Sequence, residues 1–137
     1  MLSNLRDLVE SYREKFTLKL VVLFGSRARG DYTDESDVDI LVIADDLPRD
    51  PREAFSMLRD PKYPHVNPVG FNTEVFLRKL ESGSTFLLEV LDEGIVLYAD
   101  KEFYAHVAKI HENLKKRYVK VGRTWIEKPG SNDVNEQ

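Results

Sequence analysis

Residues 18–43 read LKLVVLFGSRARGDYTDESDVDILVI, two apolar runs on either side of a polar turn punctuated by glycine. The first run, Leu18 to Phe24, is rich in branched apolar residues and is halted by Gly25, which predicts a mostly buried strand. The second, from Asp37 to Ile43, predicts another. These two strands form the centre of a sheet, and the rest of the chain is placed around them.

Upstream, Leu5, Leu8, Val9, Tyr12 and Phe16 recur at helical spacing, with Ser3 or Asn4 available as an N-cap, so an amphipathic helix precedes the first strand. Downstream, Arg52 to Leu58 reads as a short helix. Residues 61–70 hold three of the six prolines. Proline gives no N–H to a ladder, so a strand there lies at an edge or is short. Thr73 to Leu80 is helical, capped by Asn72 or Thr73 and broken by Gly83. Ser84 to Glu93 is a second helix, closed by Gly94 in the left-handed conformation usual for a stop. Ile95 to Tyr98 is a short strand. Phe103, Val107, Ile110 and Leu114 then share one stripe of a helix over about 101–117. Alternating helices and strands predict an α/β (α+β) class, a small mixed β-sheet flanked by helices.

The chain has 137 residues, enough for one core and a short appendage, since a domain takes roughly 100–200 residues. Residues 1–117 read as the domain and 118–137 as a C-terminal extension, disordered from about 127, where the tail EKPGSNDVNEQ has one apolar residue, Val134. Without cysteine there is no disulfide framework, thiolate zinc site or cysteine nucleophile. No apolar run approaches the roughly 18 residues of a membrane span, and no basic stretch followed by an apolar one opens the chain. The expectation is a mature, soluble, cytoplasmic protein.

Net charge is −4, from 20 bases and 24 acids, which argues against coating nucleic acid by bulk attraction. The acids are unevenly placed: residues 31–50 hold eight of them and one base, Arg49. Leu114 to Arg123 carries five bases and no acid, read as a solvated helix end, with RNA or an acidic partner as the rarer alternative. Asp31, Asp34 and Glu35 read as loop acids. His106 and His111 lack the spacing that stacks two ligands on one helix face and read as surface or partner-facing. Trp125 packs over the edge of the core.

Asp37 and Asp39 stand two residues apart at the start of the second strand. Side chains at that spacing point to one face, about 6.6 Å apart along the chain, and can converge on a hard divalent cation. Many strands carry such a pair on a solvent face. The turn before it adds weight. Gly25 allows close backbone approach, Ser26 adds a hydroxyl, backbone N–H groups there can form an anion-binding nest, and Arg27 and Arg29 suit phosphate oxygens. A phosphate cradle and a carboxylate pair at one cleft is what metal-dependent nucleotidyl transfer requires.

Gly25-Ser-Arg-Ala-Arg-Gly-Asp-Tyr-Thr-Asp-Glu-Ser-Asp-Val-Asp-Ile-Leu-Val42 resembles the signature of the DNA polymerase β-like nucleotidyltransferase superfamily, and most closely its minimal nucleotidyltransferase (MNT) group. The pattern of Gly-Ser, Ala-Arg-Gly and Ser-Asp-x-Asp before an apolar strand is met throughout. The resemblance implies a nucleotidyltransferase fold and ATP with Mg²⁺ or Mn²⁺ as donor. It also implies Asp37 and Asp39 as catalytic metal ligands, Gly25, Ser26 and Arg29 at the triphosphate, and Ser36 orienting the start of the metal strand. In such relatives the acceptor is often a tyrosine of a HEPN-type helical partner in a toxin–antitoxin pair. Transfer to a small molecule would need a further acceptor-binding surface, unless a homodimer supplied it.

One position departs from the family. A third carboxylate, metal ligand and base, is matched here by Asn67, followed by Pro68. Asn takes no proton, and losing a general base typically costs about 10²–10⁴-fold in rate. Glu74, a helix-dipole partner by position, and His65 are the substitutes to weigh. The alternative reading is therefore a catalytically impaired module of the same fold that binds nucleotide or a partner.

Overall fold

The structure, a computed structural model, describes residues 2–33 and 36–129. Among them are six helices and six strands, and those the periodicity predicts have bounds close to the expected ones. Four strands form one sheet: β1 (Leu18–Phe24), β2 (Val38–Ala44), β3 (Val66–Asn72) and β4 (Ile95–Ala99), in the order β3-β2-β1-β4. β1 runs antiparallel to both β2 and β4, while β3 lies parallel to β2, so the sheet is mixed.

Both central strands are buried on both faces, which is why they read as unbroken apolar runs rather than alternating ones. On one face Val21, Leu23, Ile40 and Val42 meet Leu5, Leu8, Val9 and Tyr12 of α1 (Leu2–Lys15) and Leu58 of α3 (Pro51–Leu58). The Tyr12 hydroxyl donates to the Leu58 carbonyl at 2.6 Å, tying those two helices together. On the other face Leu20, Val22, Leu41 and Ile43 pack against α4 (Thr73–Glu81), α5 (Thr85–Glu93) and α6 (Lys101–Lys115) through Phe76, Leu80, Leu87, Leu88, Phe103 and Val107.

The caps are local. Asp50, Asn72, Ser84 and Asp100 each accept a backbone N–H from the first turn of α3, α4, α5 and α6, and Pro51 starts α3 where its missing N–H costs nothing. β3 takes the edge expected of a proline-bearing strand, with Pro68 beside Ile40.

Three expectations change. α1 already includes Leu2, so neither Ser3 nor Asn4 flanks it as a cap. Gly94 does end α5, but in extended backbone (φ −73°, ψ 159°) rather than left-handed. Glycine is needed there for space, because a Cβ would strike the Val22 side chain and the Val90 carbonyl as the chain turns directly into β4. Residues 118–127 are not featureless: β5 (Tyr118–Val121) and β6 (Thr124–Glu127) form a hairpin around Gly122 and Arg123. Gly122 has φ +62° and Arg123 has no positive φ, the pattern of a type II′ turn. The hairpin turns Tyr118 and Trp125 into the core beneath α5, so Trp125 is buried as predicted. Disorder is expected from about residue 127; Glu127 closes β6, and residues 130–137 lie outside the described residues, as do Asp34 and Glu35.

Candidate nucleotide site

The site forms where β1 ends and β2 begins. β1 delivers the chain to Gly25, whose φ of +75° would strain any L side chain. Space closes the position as well, since a Cβ there would lie 2.6 Å from Asp39 Oδ2. The chain then winds one short turn, α2 (Ser26–Arg29), in which the Gly25 carbonyl accepts from the N–H groups of Ala28 and Arg29, and Gly30 closes it with φ +85°.

The two arginines of this turn do different things. Arg27 donates to the Ser36 carbonyl at 3.0 Å and stacks over the Tyr32 ring, 4.3 Å from its centroid, so it ties α2 to Tyr32 and Ser36. Its Nε is buried with no hydrogen-bond partner among the described residues. Arg29 turns the other way, between Asp31 at 3.3 Å and Glu93 of α5 at 3.7 Å. Ser36 Oγ accepts the Thr33 N–H at 3.0 Å, capping the turn before β2.

Asp39 sits opposite Phe24 on β1 and opposite Asn67 on β3. Its Oδ1 accepts from Asn67 Nδ2 at 3.1 Å, while Oδ2 faces Gly25. Asp37, exposed just before the strand, lies two residues earlier in the chain. Asn67 therefore occupies the place beside Asp39 that the register reserves on the next strand. Among the described residues no group of three or more His, Asp or Glu side chains converges. Glu74 is no substitute. It follows the far end of β3, about 16 Å along the strand from Asn67, and its carboxylate is held by Arg78 at 2.6 Å and Arg49 at 3.2 Å. His65 is at the correct end of the strand; its carbonyl accepts the Val38 N–H at 2.8 Å, and its side chain is exposed.

Beside this turn lies a cleft of about 140 Å³ lined by Phe24, Gly25, Arg29, Phe86, Glu89, Val90 and Glu93. Phe24 and Phe86 meet edge to face at 5.6 Å. Sequence reasoning omits this wall because Phe86, Glu89 and Glu93 lie about 60 residues beyond the turn and carry no motif; only the fold brings α5 to it. His111 also departs from its surface reading. It is half-buried beside Val22, Gly94 and Val107, its Nε2 has no hydrogen-bond partner among the described residues, and burial, followed by the charge of Lys115, lowers its pKa.

A family model described as "Polymerase beta, Nucleotidyltransferase" matches residues 6–103. A Methanocaldococcus jannaschii protein named "Putative protein adenylyltransferase" is 38% identical over 103 residues, covering 69% of this chain and 94% of its own. The crystal structure of a toxin–antitoxin with AMP-PNP shares the fold, with a TM-score of 0.52 and 22% identity over 81% of this chain and 90% of its own. A tri-AMPylated Shewanella oneidensis HEPN toxin in complex with an MNT antitoxin also supplies a chain of this fold. Its TM-score is 0.50 and its identity 19%, over 85% of this chain and 91% of that one.

Proposed function

Because this chain belongs to the polymerase beta nucleotidyltransferase family, we propose that it transfers AMP from ATP to a hydroxyl group carried by a partner protein. The acceptor oxygen bonds to the α-phosphorus, the bond to the departing pyrophosphate breaks, and the hydroxyl proton is released. The observation that carries this reading is the contact between Gly25 and Asp39, which puts a carboxylate directly beside the turn that bears Arg29.

The donor set suits a divalent cation, with two carboxylates two residues apart at the start of β2 and a glycine that leaves Asp39 its room. Asp37 and Asp39 would hold it. When bound, such an ion neutralises phosphate charge and favours the ionised acceptor. The chain's own residues do the rest. The turn Gly25–Arg29 presents backbone N–H groups and a guanidinium to the phosphates, Arg27 ties α2 to Ser36, and Asn67 orients Asp39 by donating to Oδ1. The HEPN toxin complex makes a small helical protein the natural acceptor class to test.

Asn67 favours a second reading on the same scaffold. An amide beside Asp39 orients a ligand but takes no proton, so turnover is slow and binding dominates. Incubation with labelled ATP, Mg²⁺ and a co-purified partner tests the first reading. Label should appear on the partner and vanish in the Asp37→Asn, Asp39→Asn double variant; label that persists in that variant refutes the assignment. ATP binding without any transfer by the wild type supports the second reading instead.

A further inference from the structure

Arg29 is linked to the C-terminal hairpin by a chain of charges. Its NH1 lies 3.7 Å from Glu93 Oε2, and the other oxygen of that carboxylate lies 3.8 Å from Lys120 Nζ on β5. Lys120 in turn binds Asp92 at 2.5 Å, and Asp92 also meets Lys115 at 3.5 Å. Side-chain exposure is 17% at both Asp92 and Glu93 and 23% at Arg29, against 37% at Lys120, so the two acids and Arg29 are less screened by solvent than the lysine that joins them. Hairpin geometry places Lys120 there. Tyr118, Lys120 and Trp125 share the inward face, whereas Val119, Val121 and Ile126 face solvent. The pair is mutually adapted. The hydrogen bond from Lys120 to Asp92 raises the lysine pKa, and although burial alone would raise that of Asp92, Lys120 and Lys115 together hold it low.

We infer that Lys120 is a positioning residue for the nucleotide site: by sharing Glu93 with Arg29, it keeps the Arg29 guanidinium from being fully neutralised and available to phosphate. The inference rests on the proposed nucleotide reading, and the hairpin that supplies Lys120 lies beyond residues 6–103, the span the family model matches. If Lys120 is removed, Glu93 loses one of the two cations it is paired with and keeps Arg29. The guanidinium is then drawn toward α5 and away from the cleft.

Calorimetric titration with inorganic tripolyphosphate and with ATP·Mg²⁺ reads the effect. Lys120→Met should weaken both by about threefold to tenfold, Lys120→Arg should restore them to within about twofold, and in a Glu93→Gln background Lys120→Met should cost less than about twofold. Circular dichroism confirms that each variant is folded. Unchanged affinity in Lys120→Met, or an equal loss with and without Glu93, overturns the inference. The Arg29 Nε–Hε signal in NMR separates this from the function itself. If the wild type binds neither probe, the nucleotide reading fails, yet the signal must still shift in Lys120→Met and not in Lys120→Met on Glu93→Gln; an unmoved signal overturns the relay.

Discussion

β2 and β3 are parallel neighbours in perfect register over seven residues, yet they were built for different tasks. β2 is buried along most of its length and begins at the site with a carboxylate. β3 is an edge strand with a proline at its third position, and it begins at the site with an amide. The same backbone slot, one strand over, thus offers a proton acceptor in Asp39 and none in Asn67. Register makes a side chain face the chemistry, and residue identity decides what it does on arrival.

The contrast is broken most severely at Asp39. Asp39→Asn should lower transfer by about 10²–10⁴-fold with little change in unfolding temperature, because the side chain is half-buried and its contacts are polar. Stability should divide the strands the other way. Leu41→Ala on β2 should cost about 2–5 kcal/mol in chemical denaturation, whereas Val69→Ala on β3, only partly buried, should cost about 1 kcal/mol. Equal costs would mean the edge strand is as deeply embedded as its neighbour.

A smaller effect sets the background against which both strands are read. His111 binds its proton less readily in the folded protein than in the unfolded chain, chiefly through burial. The unfolded chain therefore takes up protons first as pH falls below about 6.5, and stability present above that pH is lost until the depressed folded pKa is reached. Melting temperature should drop between pH 7.5 and 5.5, and His111→Leu should flatten that slope. The smallest effect belongs to Glu74. Held by two arginines at the far end of β3, its replacement by Gln should leave transfer within about twofold. A large loss there would bring the carboxylate back into the mechanism.

The sheet's centre was legible because Leu18 to Phe24 and Val38 to Ile43 are doubly buried strands with one polar residue each, Lys19 and Asp39, near their starts, and the Gly25 turn because its residues are adjacent in the chain. Asn67 could be placed by counting back from the helix at Thr73, and the register with Asp39 agrees. The hairpin was not read, although Val119, Val121 and the Gly122-Arg123 turn signal it, because a basic run there looked like the solvated end of α6. Glu93 and Lys120 were out of reach for a different reason. Their meeting with Arg29 depends on how α5 and the hairpin pack, which no local pattern encodes.

The most direct test of the account is the rate of AMP transfer from labelled ATP by the wild type and by Asn67→Asp, measured side by side with Mg²⁺ and the partner. The account predicts slow transfer by the wild type and a gain of about tenfold to 10²-fold when a carboxylate is restored beside Asp39. Rapid wild-type transfer that Asn67→Asp leaves unchanged or lowers would contradict it.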